Sequence, residues 1–251
     1  MIALLAALAL GQAQTMSMGS PSLAQGLFSA SAGAPGAYLI PEPGGATVLT
    51  HVNATDLHNG SSRVGGPWAL HGTVPFNPTA TPRPSVGPFA TANYYSQPVS
   101  SPANVGAAPF TVVVIFNPID NSSLYIPFST GAVGLAGFDI EFVSGTAQWA
   151  VSNGTTHAID TVNAITAGAL GVFIAGLDGS GNILIQYNGG ATASASGAGI
   201  SASAVGATIG TYAAGGLAFN GSLFEVMVST AVPSAVAFTA LYNSIQANIG
   251  G

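Results

Sequence analysis

Asp139 and Glu141 are the residues of this chain best placed to do chemistry. They stand two apart in Gly137-Phe138-Asp139-Ile140-Glu141-Phe142, where acidic and apolar residues alternate as in a half-buried strand. A period of two puts both carboxyl groups on one face. Paired carboxyl groups on one face are the equipment of glycosidic-bond cleavage, where a retaining enzyme holds a nucleophile and an acid/base about 5–5.5 Å apart. The simpler reading of the same pair is an acidic strand surface that faces solvent.

Other constellations are less complete. Trp149 on a predicted strand and Tyr94-Tyr95 in a predicted loop are candidate carbohydrate-binding residues, since an aromatic face can stack on a sugar ring; the competing reading makes them core or interface anchors. His51 and His58 flank Asp56, but their loop spacing fits no strong ligand pattern, and no metal is expected. Asp178-Gly179-Ser180-Gly181-Asn182 has the look of a calcium loop without the distal Glu, and reads better as a hairpin turn. The five Asn-x-Ser/Thr sequons, at Asn53, Asn59, Asn121, Asn153 and Asn220, are expected by chance in a chain this rich in Asn, Ser and Thr. No Ser-His-Asp set or phosphate-cradling glycine motif is present, so neither nucleophilic catalysis nor a cofactor is expected.

Composition narrows the partners. The chain has no Lys and only Arg63 and Arg83, and nucleic-acid binding depends on cations that displace phosphate counterions. DNA and RNA are therefore not expected as partners, and anionic membranes are disfavoured for the same reason. Only 4% of residues are charged, against about 25% in ordinary soluble proteins. A surface of Ser, Thr, Asn, Ala and Gly lacks the charge repulsion that keeps monomers apart, which points to a homo-oligomer or a larger assembly. No apolar run approaches the roughly 20 residues of a membrane-spanning helix.

The elements that must position these residues come late in the chain. Residues 110–116, Phe-Thr-Val-Val-Val-Ile-Phe, are nearly continuous in apolar character, as expected of a strand buried on both faces. Strands are predicted at 124–128, 137–143 and 147–151, and at 170–177 and 182–187 around a four-residue turn. At 223–228 alternation sends Leu223, Glu225 and Met227 one way and Phe224, Val226 and Val228 the other. Ser234, after Pro233, is the predicted N-cap of a helix near 234–247. Residues 51–109 read as loops. Residues 1–50 form a hydrophobic N-terminal segment and a Pro/Gly-rich extended arm. Residues 1–13 look like the apolar core and small-residue cleavage site of a signal peptide, but nothing basic precedes them. A retained arm, in which Leu4, Leu5, Leu8 and Leu10 dock on a neighbouring subunit, is the favoured reading.

The last strand and helix, with Gly221, Leu223, Glu225 and Val226 matching Gly-x-Ile-x-Glu-Val, resemble the end of concanavalin A-like or laminin-G-like jelly-roll domains. The resemblance implies an all-β antiparallel jelly-roll sandwich over residues 51–251, with regular strands from about 110 and a short C-terminal helix. Laminarinase and lichenase-type glycosidases of that fold carry Glu-x-Asp-x-Glu on one strand. By that resemblance Asp139 takes the helper position and Glu141 the acid/base position, while Gly137 stands where the nucleophile belongs. A chain without the attacking carboxylate is not expected to be a glycosidase.

Together these observations favour a non-enzymatic structural or interaction protein on the exterior of a bacteriophage virion, such as a decoration, head-fibre or tail-associated subunit. It would be bound to other virion subunits or to itself. The alternative is a secreted, lectin-like carbohydrate-binding module, for which a host surface glycan is the partner.

Overall fold

The computed structural model describes residues 38–122, 124–131, 136–212 and 216–250. The docking leucines Leu4, Leu5, Leu8 and Leu10 lie outside the described residues. The described chain is almost wholly β. In order it forms β1 (Val48–Asn53), α1 (Ala54–His58), β2 (Ala69–His71), β3 (Phe76–Asn77), β4 (Ser85–Val86), β5 (Tyr94–Gln97), β6 (Phe110–Pro118) and β7 (Tyr125–Ser129). Then follow β8 (Gly137–Val143), β9 (Thr146–Ser152), β10 (Thr156–Asp160), β11 (Gly171–Leu177), β12 (Ile183–Tyr187), β13 (Ala193–Ala195), β14 (Ala207–Ile209), β15 (Gly221–Ser229) and α2 (Ala235–Gly250).

These strands make two antiparallel sheets. One has eight strands in the order β13-β12-β11-β6-β15-β4-β3, with β1 also paired to β15; the other has seven, ordered β10-β9-β8-β7-β14-β5-β2. The sheets enclose one large apolar core that includes Phe110, Phe116, Phe128, Phe138, Phe142, Trp149, Phe173 and Phe219. The expected jelly-roll sandwich with a C-terminal helix is the fold of the protein.

A second, smaller core explains the continuous apolar run of β6. Helix α2 lies on the outer face of the eight-stranded sheet, where Phe238, Leu241 and Ile245 pack with Val113, Ile115, Val172, Ile174 and Met227. Val112 and Val114 meanwhile face the main core, so β6 is buried on both sides. Ser234 caps the helix, its Oγ accepting from Ala237 N at 3.1 Å. Leu39 and Ile40, from the segment read as arm, belong to this second core.

Two features differ from expectation. Simple alternation along β15 fails at its start, because a register irregularity separates Leu223 from Glu225. Leu223 therefore shares the main core with Val226 and Val228, while Phe224 and Met227 face α2; a bulge adds one residue and reverses side-chain parity beyond it. The stretch 51–109 is also not all loop. It supplies β2–β5 and half of β1, and β1 pairs with β15 from Val48↔Ser229 to Asn53↔Glu225.

Candidate functional site: the outer face of the seven-stranded sheet

Phe138, Ile140 and Phe142 face the main core, so Asp139 and Glu141 project from the opposite, outer face of β8. Register places Asp139 in a row that crosses all seven strands: Ala69, Ser96, Thr208, Ser129, Asp139, Ala150 and Ala158. Every other member of that row is small, so the row forms the low part of the face. Larger side chains stand beside it. Glu141, Gln148 and Asp160 are cross-strand neighbours on β8, β9 and β10. His71 and Tyr94 are neighbours on β2 and β5.

Asp139 is only 3% exposed. Burial pushes its carboxyl up to about 7, and the neighbouring Glu141 charge pushes the same way, against the Ser129 hydrogen bond. The hydrogen-bond pattern agrees with a proton on Asp139. Ser129 Oγ lies 2.5 Å from Asp139 Oδ1 and 2.7 Å from Gly131 O, and it accepts from Gly131 N at 3.2 Å. A hydroxyl has one hydrogen and two lone pairs. If Ser129 donates to Gly131 O, its lone pairs are filled by Gly131 N–H and by a protonated Asp139. All four groups are then satisfied.

Glu141 is different. Its residue is 6% exposed, and burial raises its carboxyl too. Yet no donor among the described residues reaches its carboxylate, whose oxygens keep contact with solvent. A buried stem carrying a bare, outward-facing carboxylate is an acceptor waiting for hydrogen-bond donors. Beside it, Gln148 donates its Nε2 hydrogen to Asp160 Oδ1 at 2.9 Å, which leaves the Gln148 carbonyl oxygen turned to other uses.

At the far end of the face the His71 and Tyr94 rings stack at 4.3 Å and 11°. His71 Nε2 lies 2.8 Å from Ser96 Oγ, which fixes the imidazole over the tyrosine. Tyr94 on β5 and Glu141 on β8 are three strand spacings apart, roughly 14 Å.

The sequence-predicted aromatics divide accordingly. Trp149 is fully buried between Phe110 and Phe138, with centroids at 6.0 and 5.0 Å, and Tyr95 is 1% exposed in the same core. Neither ring offers a face to a sugar, because alternation turns each of them inward. Tyr94, between Tyr95 and Ser96, points outward and is half-buried. His71, Ser129, Thr208, Gln148 and Asp160 carried no local motif; only the sheet register brings them to one face.

Gly137 cannot take the role of a nucleophile. Its φ is +110°, and a Cβ there would sit 2.8 Å from Gly131 Cα and 2.9 Å from Thr130 O. The histidines near Asp56 are occupied elsewhere: His51 with Glu225 and Glu42, His58 stacked on Phe76 at 4.1 Å. Asp56 closes the N-terminal capping box of α1 with Asn53. Among the described residues no group of three His, Cys, Asp or Glu side chains could hold a metal ion, and no helix is long and apolar enough to cross a membrane.

No protein-family model matches the chain, and no curated protein matches it. Solved structures do. Domain 4 of AbnA, a GH43 extracellular arabinanase from Geobacillus stearothermophilus solved with arabinotriose, aligns with a TM-score of 0.63 at 14% identity over 78% of this chain and 98% of that domain. The binding domain of botulinum neurotoxin DC in complex with SialylT aligns with a TM-score of 0.58 at 14% identity, over 80% of this chain and 52% of the toxin domain. The binding domain of Paraclostridial Mosquitocidal Protein 1 gives 0.58 at 12% identity, over 78% and 52%. This chain thus spans nearly all of the arabinanase domain and about half of each toxin domain, and what it shares with all three is the β-sandwich fold.

Proposed function

We propose that this protein is a non-enzymatic, lectin-like carbohydrate-binding module whose ligand lies on the outer face of the seven-stranded sheet. The observation that carries this reading is Glu141, a carboxylate with a buried stem and no donor among the described residues. Sugar hydroxyls are the donors it lacks. The Tyr94–His71 stack supplies an aromatic edge on the same face. The arabinanase domain that shares this fold was solved with arabinotriose, and the neurotoxin binding domain, of which this chain spans about half, in complex with SialylT, which supports the reading by analogy of fold.

The absence of a third carboxylate favours binding over hydrolysis. Without an attacking group a covalent glycosyl intermediate does not form, and Asp139 is committed to Ser129 and the 129–131 turn. Such a module serves equally on a virion exterior or as a secreted protein. In this reading residues 1–37 decide between the two, through a retained docking arm or a cleaved leader.

The test is a glycan array with the full chain, followed by calorimetric titration of the best oligosaccharide. Glu141→Ala should weaken binding at least tenfold, since hydrogen bonds to a charged group contribute about 1.5–3 kcal/mol. Tyr94→Ala should weaken it about three- to tenfold through lost stacking. Wild-type affinity in both variants would remove the ligand from this face.

A further inference from the structure

Beyond a glycan in general, the charge layout of the molecule speaks to which glycan. We infer that the outer face of the seven-stranded sheet selects uncharged oligosaccharides and rejects those bearing carboxylate, sulfate or phosphate groups, with Glu141 accepting ligand hydroxyl hydrogens. This inference rests on the carbohydrate-binding reading above.

Recognition of an anionic sugar needs a cation or a cluster of free N–H donors. The whole chain has no Lys and two Arg, and both stand at the other sheet. Arg63 pairs with Glu42 at 3.0 Å and lies over the Tyr38 ring, beside His51 of β1. Arg83 lines a small pocket with Phe224 and Glu225 of β15. The stretches 132–135 and 213–215, next to the face in sequence, contain no basic residue.

The ionisable groups that face the site come from four strands. Asp139 and Glu141 stand on β8, Asp160 on β10, Tyr94 on β5 and His71 on β2. His157 of β10 is not among them, because its cross-strand partner Val151 belongs to the main core. The face thus carries three carboxyl groups, those of Asp139, Glu141 and Asp160, and neither arginine of the chain stands on it to offset them. An anionic ligand would lose its hydration and meet like charge. A neutral ligand loses little and gains an acceptor with no competing donor among the described residues. The Gln148 carbonyl oxygen, whose amide nitrogen is held by Asp160, extends the same acceptor surface. The site is therefore rich in acceptors and poor in donors, the complement of a hydroxyl-bearing, uncharged sugar.

The experiment titrates the full chain at pH 7.5 with uncharged probes (arabinotriose, laminaritriose, lactose) and charged ones (3′-sialyllactose, trigalacturonate), alongside a broad glycan array. At least one uncharged glycan should bind, and the charged partner of any matched pair should bind at least tenfold more weakly. The gap should narrow in about 0.5 M salt, where charge–charge repulsion is screened. Gln148→Lys, which introduces a cation beside Glu141 on a half-buried position, should also narrow it while circular dichroism shows an intact fold. Equal or tighter binding of the charged probes overturns the charge inference and leaves carbohydrate binding standing. A gap that neither salt nor Gln148→Lys changes also overturns it, since shape would then be the cause. No binding to any glycan on the array overturns the carbohydrate-binding reading itself.

Discussion

Glu225→Ala should cost this protein more stability than any other single loss of a polar side chain. Glu225 is 1% exposed. Its carboxylate accepts from Leu39 N at 2.7 Å, Ile40 N at 2.9 Å and His51 Nε2 at 2.7 Å. Its partners are nearly as enclosed: His51, Leu39 and Ile40 are 0–1% exposed. Truncation therefore strands two buried amides and an imidazole at once. Each buried donor left unpaired costs about 1–3 kcal/mol, and three are stranded together. We expect a loss of about 3–5 kcal/mol in urea unfolding monitored by tryptophan fluorescence. The loss should have a local signature. Leu39 and Ile40 are held on the eight-stranded sheet by this carboxylate and by Asn248, whose Nδ2 donates to Leu39 O at 2.9 Å. Native-state hydrogen exchange of the Leu39 and Ile40 amides should accelerate beyond what the global loss explains. Glu225→Gln should fall between, because it keeps one acceptor but turns a donor toward one of its donor partners. A cost below about 1 kcal/mol for Glu225→Ala, or unchanged protection of Leu39 and Ile40, would refute the reasoning.

Three further outcomes are expected. Because the Asp139 carboxyl titrates near 7 when folded against 3.8 as its ordinary value, the folded state holds a proton that the unfolded chain has released. Its contribution to stability is full below about pH 4, falls as pH rises toward 7 by up to about 4 kcal/mol, and is flat beyond. The raised Glu141 carboxyl acts with the same sign. Asp139→Asn, which keeps a donor toward Ser129, should flatten that slope in urea titrations between pH 4 and 7 relative to wild type; an unchanged slope would show that Asp139 is ionised throughout. Gly137→Glu, which completes Glu-x-Asp-x-Glu in sequence, should release no reducing sugar from laminarin and should destabilise by about 2–4 kcal/mol, from positive-φ strain and overpacking against Gly131; a stable, active variant would mean that the backbone there can move. Deleting residues 1–14 should leave the urea midpoint unchanged but abolish higher-order assembly in sedimentation velocity; assembly at the wild-type level would remove the docking-arm reading.

Much of the fold is legible from local pattern alone. The run at 110–116 announces a strand buried on both faces, and α2 and the opposite sheet are what bury it. Asp178 and Asn182 mark their hairpin by themselves, since Asp178 Oδ1 accepts from Ser180 N and Asn182 N at 2.8 Å within the turn. Ser234 does the same for α2. Turns and caps close over a few residues, so their chemistry is written where it acts. The pairing of Asp139 with Glu141 on one face is likewise a local fact, as strand periodicity is enough to give it.

The remainder depends on partners distant in sequence. Strands β2–β5 run two to four residues, too short to show a period, and each exists because a neighbour in the sheet supplies its hydrogen bonds. The bulge in β15 reverses the side that Leu223 faces, and only pairing with β6 locates it. Trp149 and Tyr95 look as available as Tyr94 until the sheets close and bury two of the three. The raised carboxyl of Asp139 and the bare carboxylate of Glu141 follow the same rule. Both residues are acids on one strand, but the 129–131 turn satisfies one, while no donor among the described residues reaches the other. Composition shows that the chain has almost no cations; it takes the tertiary structure to put both arginines at one sheet and the unpaired acceptors on the other. Burial and hydrogen-bond satisfaction are sums over residues far apart in the chain, and no window of sequence contains them.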